Sequence, residues 1–148
     1  MNPLQYNKDQ TVPNLDKRGE IMRRIVIDMQ NCLFADAIEQ ALVNFDSDFE
    51  PHLVEKPSEI EELCRLLFPY ALIMEVSSYK ERSFEERMII RKKVKKTTPN
   101  CKIVLVVDEN TEKLLADRVR QAKKDGIIDN FVYGSVSATY LSAVIDTL

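Results

Sequence analysis

The run YALIM, residues 70–74, decides the fold class that this sequence predicts. Its side chains are apolar at odd and even positions alike, so both faces of the strand would be buried. That character is typical of a central strand in a parallel sheet with helices on both sides. A second run of the same kind, IVLVV at residues 103–107, lies further along the chain, and helical periodicity follows each run. The two runs therefore indicate an α/β protein.

Outward from these runs, short apolar stretches alternate with helical patterns five times from residue 23 onward. The other three stretches are IVI at residues 25–27, a weak HLV at 52–54 and FVY at 131–133. Parallel strands joined by short connections need right-handed crossovers through helices, which leaves few topologies. We therefore predict a doubly wound, five-stranded parallel sheet of flavodoxin-like order 2-1-3-4-5, with helices on both faces.

Helix boundaries are marked by residues that satisfy free backbone groups. Ser58 and Ser83 are each followed three residues later by Glu, which is the spacing of a capping box, and Ser137 precedes the last amphipathic pattern. Gly126 falls where the end of the fourth helix favours a left-handed residue. These four residues predict three helix starts and one helix end.

The chain has 148 residues, a length that suggests one domain. Residues 1–21 contain Pro3 and Pro13 without helical or strand periodicity, and we predict a flexible N-terminal extension there. Residues 22–148 form the predicted domain. Since no apolar run has the length of a secretory signal or a membrane span, we expect a cytoplasmic protein without a membrane partner.

Composition excludes several classes of function. The three glycines are far apart, whereas a phosphate-binding loop or a dinucleotide fingerprint needs glycines close together. Lys and Arg total 21 against 24 Asp and Glu, a net charge of −3 that argues against direct nucleic-acid binding. The three cysteines have neither metal-ligand nor redox spacing, so we predict that they are small core residues.

One segment is strongly basic despite this balance. The run RKKVKK at residues 91–96 falls on the third predicted helix, with Val94 on its inward face. Such a run can attract an acidic partner or nucleic acid. We interpret it as a solvated helix face, because the chain as a whole is negative.

In doubly wound folds, ligands bind outside the carboxyl ends of the strands, where the strand order reverses. Function is therefore expected at residues 28–32, 75–78 and 107–110. Three acids, Asp28, Glu75 and Asp108, follow adjacent strands there. Converging carboxylates can bind Mg²⁺ for phosphoryl or phosphodiester chemistry. The alternative is that these acids simply meet water and stabilise helix N-termini.

The segment RIVIDMQNCLFADAIEQAL, residues 24–42, resembles the opening of a response-regulator receiver domain of the CheY-like type. Phe131, followed by Gly134 and Ser137, is similar to the fifth strand of a receiver and the helix after it, with Phe131 as the switch aromatic. The resemblance covers nearly all of residues 23–148 in element order, so residues 22–148 would be a receiver-like domain.

The resemblance also implies where a phosphorylation site would lie. The phosphoacceptor position is Glu75 instead of Asp, and the Mg²⁺-binding acidic pair falls on Met29 and Gln30, with Asp28 just before them. The hydroxyl position is Val107, or Val106 if the register slips by one. The lysine position is Gly134, or Tyr133 on an ungapped alignment. Met29 and Val107 are expected to form an apolar floor in the altered pocket.

These departures predict a pseudo-receiver, because phosphoryl transfer to a carboxylate needs a metal and a cation to neutralise crowded oxygens. No cofactor is expected; Mg²⁺ applies only to the alternative, an enzyme that uses the three acids. Function would then lie in two-component (phosphorelay) signalling through protein contacts, in which Glu75 holds one signalling state. Receivers commonly pair through the face of the fourth helix, fifth strand and fifth helix, so we expect a homodimer or a protein partner there. Six residues of this chain map to that face: Arg118, Lys123, Asp125, Asp129, Tyr133 and Tyr140.

Overall fold

A five-stranded parallel sheet forms the centre of the protein. The computed structural model describes Leu15 and residues 21–148, so the predicted extension at 1–21 lies, but for Leu15 and Ile21, outside the described residues. The strands are paired in the order β2-β1-β3-β4-β5, every pair parallel, as predicted. Their bounds are β1 Arg23–Asp28, β2 Phe49–Leu53, β3 Ala71–Val76, β4 Lys102–Val107 and β5 Asn130–Tyr133.

Five α-helices cover the two faces of the sheet. They are α1 Cys32–Phe45, α2 Ile60–Leu67, α3 Phe84–Thr97, α4 Lys113–Lys124 and α5 Ala138–Asp146. Short 3₁₀ turns, Pro57–Glu59 and Lys80–Arg82, precede α2 and α3. None of the helices in the described part is long and apolar enough to span a bilayer.

Each face of the sheet has its own hydrophobic core. Ile38 of α1 and Leu141 of α5 pack on one face, against strand residues such as Ile73. Helices α2, α3 and α4 cover the other face. Val94 and Val119 pack there with the strand residues whose side chains point away from the first core. Strand residues alternate between the two cores because successive side chains point to opposite faces. The doubly wound architecture is therefore confirmed.

Two of the three predicted helix starts are confirmed. Ser83 Oγ accepts a hydrogen bond from the Glu86 N–H at 3.2 Å, and Ser137 Oγ accepts one from Tyr140 at 3.1 Å. The cap predicted at Ser58 is wrong: Ser58 lies inside the 3₁₀ turn that begins at Pro57, and no side chain caps α2. Proline supplies a fixed backbone angle that starts this turn without a capping side chain. Gly126 has φ 75°, as its predicted position requires.

Candidate functional site

A cleft of about 340 Å³ lies at the carboxyl edge of the sheet, where β1, β3 and β4 end. The three predicted segments supply most of its lining, whereas Tyr79, Thr111 and Glu112 lie just beyond them and were missed. Strand ends can be located from apolar runs, but how far the following loops reach cannot. The lining residues are Gln30, Asn31, Glu75, Val76, Ser77, Tyr79, Asp108, Thr111 and Glu112.

Glu75 and Gln30 are brought together in this cleft. Glu75 is the penultimate residue of β3, and the strand register places it beside Val106 of β4. Its Oε1 atom accepts a hydrogen bond of 2.7 Å from the backbone N–H of Gln30. A carboxylate oxygen of Glu75 is therefore already held by the loop that follows β1.

Asp28 is completely buried, although it was predicted to line the pocket. It lies two residues after Val26 and therefore on the face that α2, α3 and α4 cover. Its Oδ2 atom is 2.7 Å from Nη1 of Arg87, and its Oδ1 atom is 3.1 Å from Nη2 of Arg82. Each oxygen of the Asp28 carboxylate therefore forms an ion pair with a guanidinium group.

Arg87 is a buried cation that contacts both the side chain of Asp28 and the backbone of Glu75. It lies on α3 with no exposed surface, and its Nε atom donates a 2.8 Å hydrogen bond to the backbone oxygen of Glu75. Burial lowers the pKa of Arg87, while the charge of Asp28 acts in the opposite direction. Nη1 and Nη2 of Arg87 and Oδ2 of Asp28 have no hydrogen-bond partner among the described residues, so the 2.7 Å contact between Nη1 and Oδ2 is an ion pair without hydrogen-bond geometry. Helical periodicity predicts that Arg87 faces inward, but the sequence does not show its pairing with Asp28.

We name Asp28, Arg82 and Arg87 the arginine cluster. Arg82 is the last residue of the 3₁₀ turn after β3, and its backbone oxygen accepts a 2.9 Å hydrogen bond from the N–H of Ser77. Its side chain is largely buried and reaches Asp28 across 54 residues of sequence. The arginine cluster therefore connects the end of β1, the loop after β3 and the helix α3.

Asp108 is separate from this cluster. Its Oδ1 atom accepts hydrogen bonds from the backbone N–H groups of Asn110 at 2.9 Å and Thr111 at 3.4 Å. These contacts, that of Asn110 above all, hold the pKa of the Asp108 carboxyl below its usual range. The three acids predicted as a metal site are not gathered into one group. Across residues 21–148 and Leu15, no group of three or more His, Cys, Asp or Glu side chains is placed to hold a metal ion.

Met29 and Val107 do not form a shared apolar floor, so that prediction is wrong. Met29 packs in the core beneath α1 and α5, whereas Val107 packs in the core beneath α2, α3 and α4. The strand pleat sends their side chains to opposite faces of the sheet. Beside Val107, the N–H of Gly134 donates a 2.9 Å hydrogen bond to the Val107 oxygen. A Cβ at Gly134 would meet that oxygen at 4.0 Å, an ordinary contact, so a side chain fits there.

The residues predicted to form a pairing face do not all make their contacts in the same place. Tyr133 accepts a 3.0 Å hydrogen bond from Arg120 and packs edge-on against Phe131, with ring centres 5.5 Å apart. Arg118 instead turns toward α3, where it contacts Glu85 at 2.6 Å and lies over the ring of Phe84. Tyr140 on α5 is exposed.

The prediction that all three cysteines are core residues is wrong for Cys32. Cys64 and Cys101 are buried, and burial raises the pKa of both thiols, that of Cys64 to about 12. Cys32 is exposed at the first position of α1, next to Asn31, which caps that helix and lines the cleft.

No family model and no curated protein matches this chain, but solved structures do. The REC domain of AraT, a response regulator from Geobacillus stearothermophilus, is similar with a TM-score of 0.66 and 14% identity, over 86% of this chain and 92% of that one. A response regulator receiver domain protein from Clostridium thermocellum is similar with a TM-score of 0.66 and 19% identity, covering 85% and 93%. A response regulator from Thermotoga maritima has a TM-score of 0.66 at 12% identity, covering 86% and 97%.

These likenesses define the class of fold. The chain has the CheY-like fold of response-regulator receiver domains, with the same five-stranded order and the same layers of helices.

Proposed function

We propose that this chain is a signalling module of the receiver type that acts through protein contacts and does not depend on phosphorylation. The observation that supports the proposal is the arginine cluster. Two guanidinium groups occupy the oxygens of Asp28, the one acid near the end of β1 that the resemblance leaves for a metal. Two-component signalling and a cytoplasmic location are part of the same proposal.

A divalent cation competes poorly for Asp28. Mg²⁺ requires free carboxylate oxygens in an octahedral arrangement, and it repels cations nearby. Here the nearest side chains to Asp28 are two arginines, and the next two residues of the chain, Met29 and Gln30, offer no carboxylate. A metal would therefore have to displace a buried ion pair to bind at this position.

Phosphoryl transfer to Glu75 is unfavourable for related reasons. The Glu75 carboxylate accepts the N–H of Gln30, and its β4 neighbour Val106 has no hydrogen-bond donor in its side chain. Gly134 provides no cation at the end of β5. Arg82 and Arg87 are already paired with Asp28, so no metal, side-chain donor or lysine remains to offset the repulsion between the carboxylate oxygens and the phosphoryl group.

The same contacts favour a single conformation of the loop after β3. Arg82 ties this loop to Asp28, and Ser77 closes it through the Arg82 backbone oxygen. The buried ion pairs of the arginine cluster would hold this conformation without the charge that phosphorylation adds. The signal would then pass through a surface, for which we propose the α4–β5–α5 face with a second copy or another protein.

The test is labelling with radioactive acetyl phosphate in the presence of Mg²⁺. We expect no stable label on the native protein. Glu75→Asp is the matched control, because it restores the shorter acceptor and leaves the arginine cluster in place. It should also remain unlabelled if the metal site and the cation are what is missing.

Two results would contradict the proposal. One is label on the native protein that disappears in Glu75→Gln, which would establish a working acceptor. The other is strong labelling of Glu75→Asp, which would show that the pocket binds metal and phosphoryl groups despite the arginine cluster.

A further inference from the structure

A dense group of cations lies where α3 and α4 end. We define the basic surface as six cationic residues near the ends of these helices: Arg91, Lys92, Lys95, Lys96, Lys123 and Lys124. Lys93 lies 3.8 Å from Glu61 of α2 and is not counted in it. None of its residues lines the cleft, and only Lys123 also belongs to the α4–β5–α5 face of the proposed function.

Contacts with the turn between α4 and β5 bring the two helix ends together. Lys95 Nζ lies 3.8 Å from Asp129 Oδ2, and Lys123 Nζ donates a 2.8 Å hydrogen bond to the Asp129 backbone oxygen. Arg91 donates to the backbone oxygen of Ile127 in the same turn. Arg91, Lys95 and Lys123 therefore lie around one turn, and Lys92, Lys96 and Lys124 are their neighbours along the two helices.

Half of these cations have a local structural role. Arg91, Lys95 and Lys123 bind backbone oxygens at or beyond helix ends, where positive charge stabilises the helix dipole. The other three, Lys92, Lys96 and Lys124, are exposed, and none has an ion-pair partner among the residues that the structure describes. Local contacts explain the first group of three cations. The charges of Lys92, Lys96 and Lys124 are left unbalanced.

The acids nearby do not neutralise this surface. Asp129 accepts the backbone N–H of Ile103 at 2.8 Å, and Asp125 accepts the side-chain amide of Gln121 at 2.9 Å. Six cations less these two acids give a formal charge of about +4, in a chain whose total is −3. The remainder of the chain therefore carries a formal charge of about −7. The basic surface is a strongly positive patch on an otherwise negative protein.

We propose that the basic surface binds an acidic segment of a partner protein, a short run rich in Asp and Glu. The net positive charge of the surface complements such a segment. Lys92, Lys96 and Lys124 have no ion-pair partner among the described residues and would pair with its carboxylates.

Other polyanions fit this surface less well. Duplex DNA has one charge per roughly 1.7 Å over a long axis, so it would continue from the basic surface onto the negative remainder of the chain. None of the six residues is aromatic and able to stack on a base. For a membrane, Ile127 is the exposed large hydrophobic residue of the adjoining turn, which gives little apolar area to insert.

The experiment measures the fluorescence anisotropy of a labelled acidic peptide, about eight residues of alternating Glu and Ser, at low salt. We expect saturable binding that weakens as salt screens the charges. The triple variant Lys92→Glu, Lys96→Glu and Lys124→Glu should weaken binding by about tenfold or more. The matched control reverses three other exposed lysines, at positions 56, 80 and 113, and should change affinity by less than about threefold.

Three results would overturn the proposal. One is the absence of saturable binding of the peptide to the native protein. Another is a loss of affinity in the control triple variant as large as in the first, which would show that net charge alone is responsible. The third is tighter binding of a short DNA duplex or a phosphatidylserine vesicle than of the peptide. None of these results depends on Glu75 or the arginine cluster, so failure here leaves the proposed function standing.

Discussion

At the scale of single residues, the stability of the region around the cleft is expected to depend on Arg87. It is fully buried, and its charge is compensated by Asp28 and by the Glu75 backbone oxygen. Removing two charges from water costs several kcal/mol for each ion, and only close pairing offsets that cost. Arg87 and Asp28 therefore depend on each other far more than an exposed ion pair does.

Replacing one member of this pair should destabilise the protein strongly. We expect Arg87→Met to lower the free energy of unfolding by about 3 kcal/mol or more, because it leaves Asp28 buried with Arg82 alone. The double variant Asp28→Asn, Arg87→Met should lose less than the sum of the single losses, by more than about 1 kcal/mol. Urea unfolding of the four proteins measures this coupling.

Arg120→Met serves as the control for that cycle. Arg120 contacts Asp117 and Tyr133 on the surface, where solvent screening leaves such a pair little effect on stability. Additive losses for Asp28 and Arg87, or a loss no larger than that of Arg120→Met, would contradict the interpretation of the arginine cluster.

The residue scale is also where sequence-based prediction was weakest. Asp28, Glu75 and Asp108 were correctly assigned to strand ends, because apolar runs end just before or at them. Their partners could not be predicted. Arg82 reaches Asp28 across 54 residues, and that contact depends on the path of a loop that no periodicity encodes. Residue numbering alone could not have separated Asp28 from Glu75, because the register between strands decides which face each residue takes: Ile73 of β3 and Val104 of β4 differ in parity and share one core.

At the scale of the secondary-structure elements, the two serines with the same spacing differ in role. Both are followed by Glu three residues later, but only Ser83 of the two caps a helix. Pro57 directs the chain into a 3₁₀ turn and moves the start of α2 beyond Ser58. The capping pattern is therefore reliable only where no proline competes for the first turn.

This difference gives a paired prediction for stability. Ser83→Ala should lower the free energy of unfolding by about 1 kcal/mol, because the Glu86 N–H loses its acceptor. Ser58→Ala should change it by less than about 0.5 kcal/mol, since Ser58 is exposed and caps nothing. Thermal or urea unfolding of the two variants provides the measurement, and equal losses would contradict the assignment.

At the scale of the whole molecule, the topology was predicted because the physical signals were redundant. Five apolar runs, their alternation with helical patterns and the handedness of crossovers all favour the same sheet order, which the structure has. No comparable set of sequence signals indicates which surface pairs with another molecule. Arg118 was assigned to the α4–β5–α5 face from its place in the sequence, but its side chain contacts α3.

Association through the α4–β5–α5 face can be measured directly. We expect light scattering to give the mass of a dimer at low salt and a shift toward monomer at high salt, because the charged residues of that face would pair reciprocally. Tyr140→Glu places a charge on the exposed part of α5 and should favour the monomer. The change Leu66→Glu on α2, also exposed, is the matched control and should have no effect. A monomer at both salt concentrations would contradict self-association.

The contrast between Cys32 and the two buried cysteines has a practical consequence. Because Cys64 and Cys101 are enclosed in the core, a maleimide reagent should modify the folded chain at one position, the first residue of α1. That position adjoins Asn31 at the mouth of the cleft. An environment-sensitive dye or a nitroxide attached there would report on whatever enters the cleft, without an engineered attachment point.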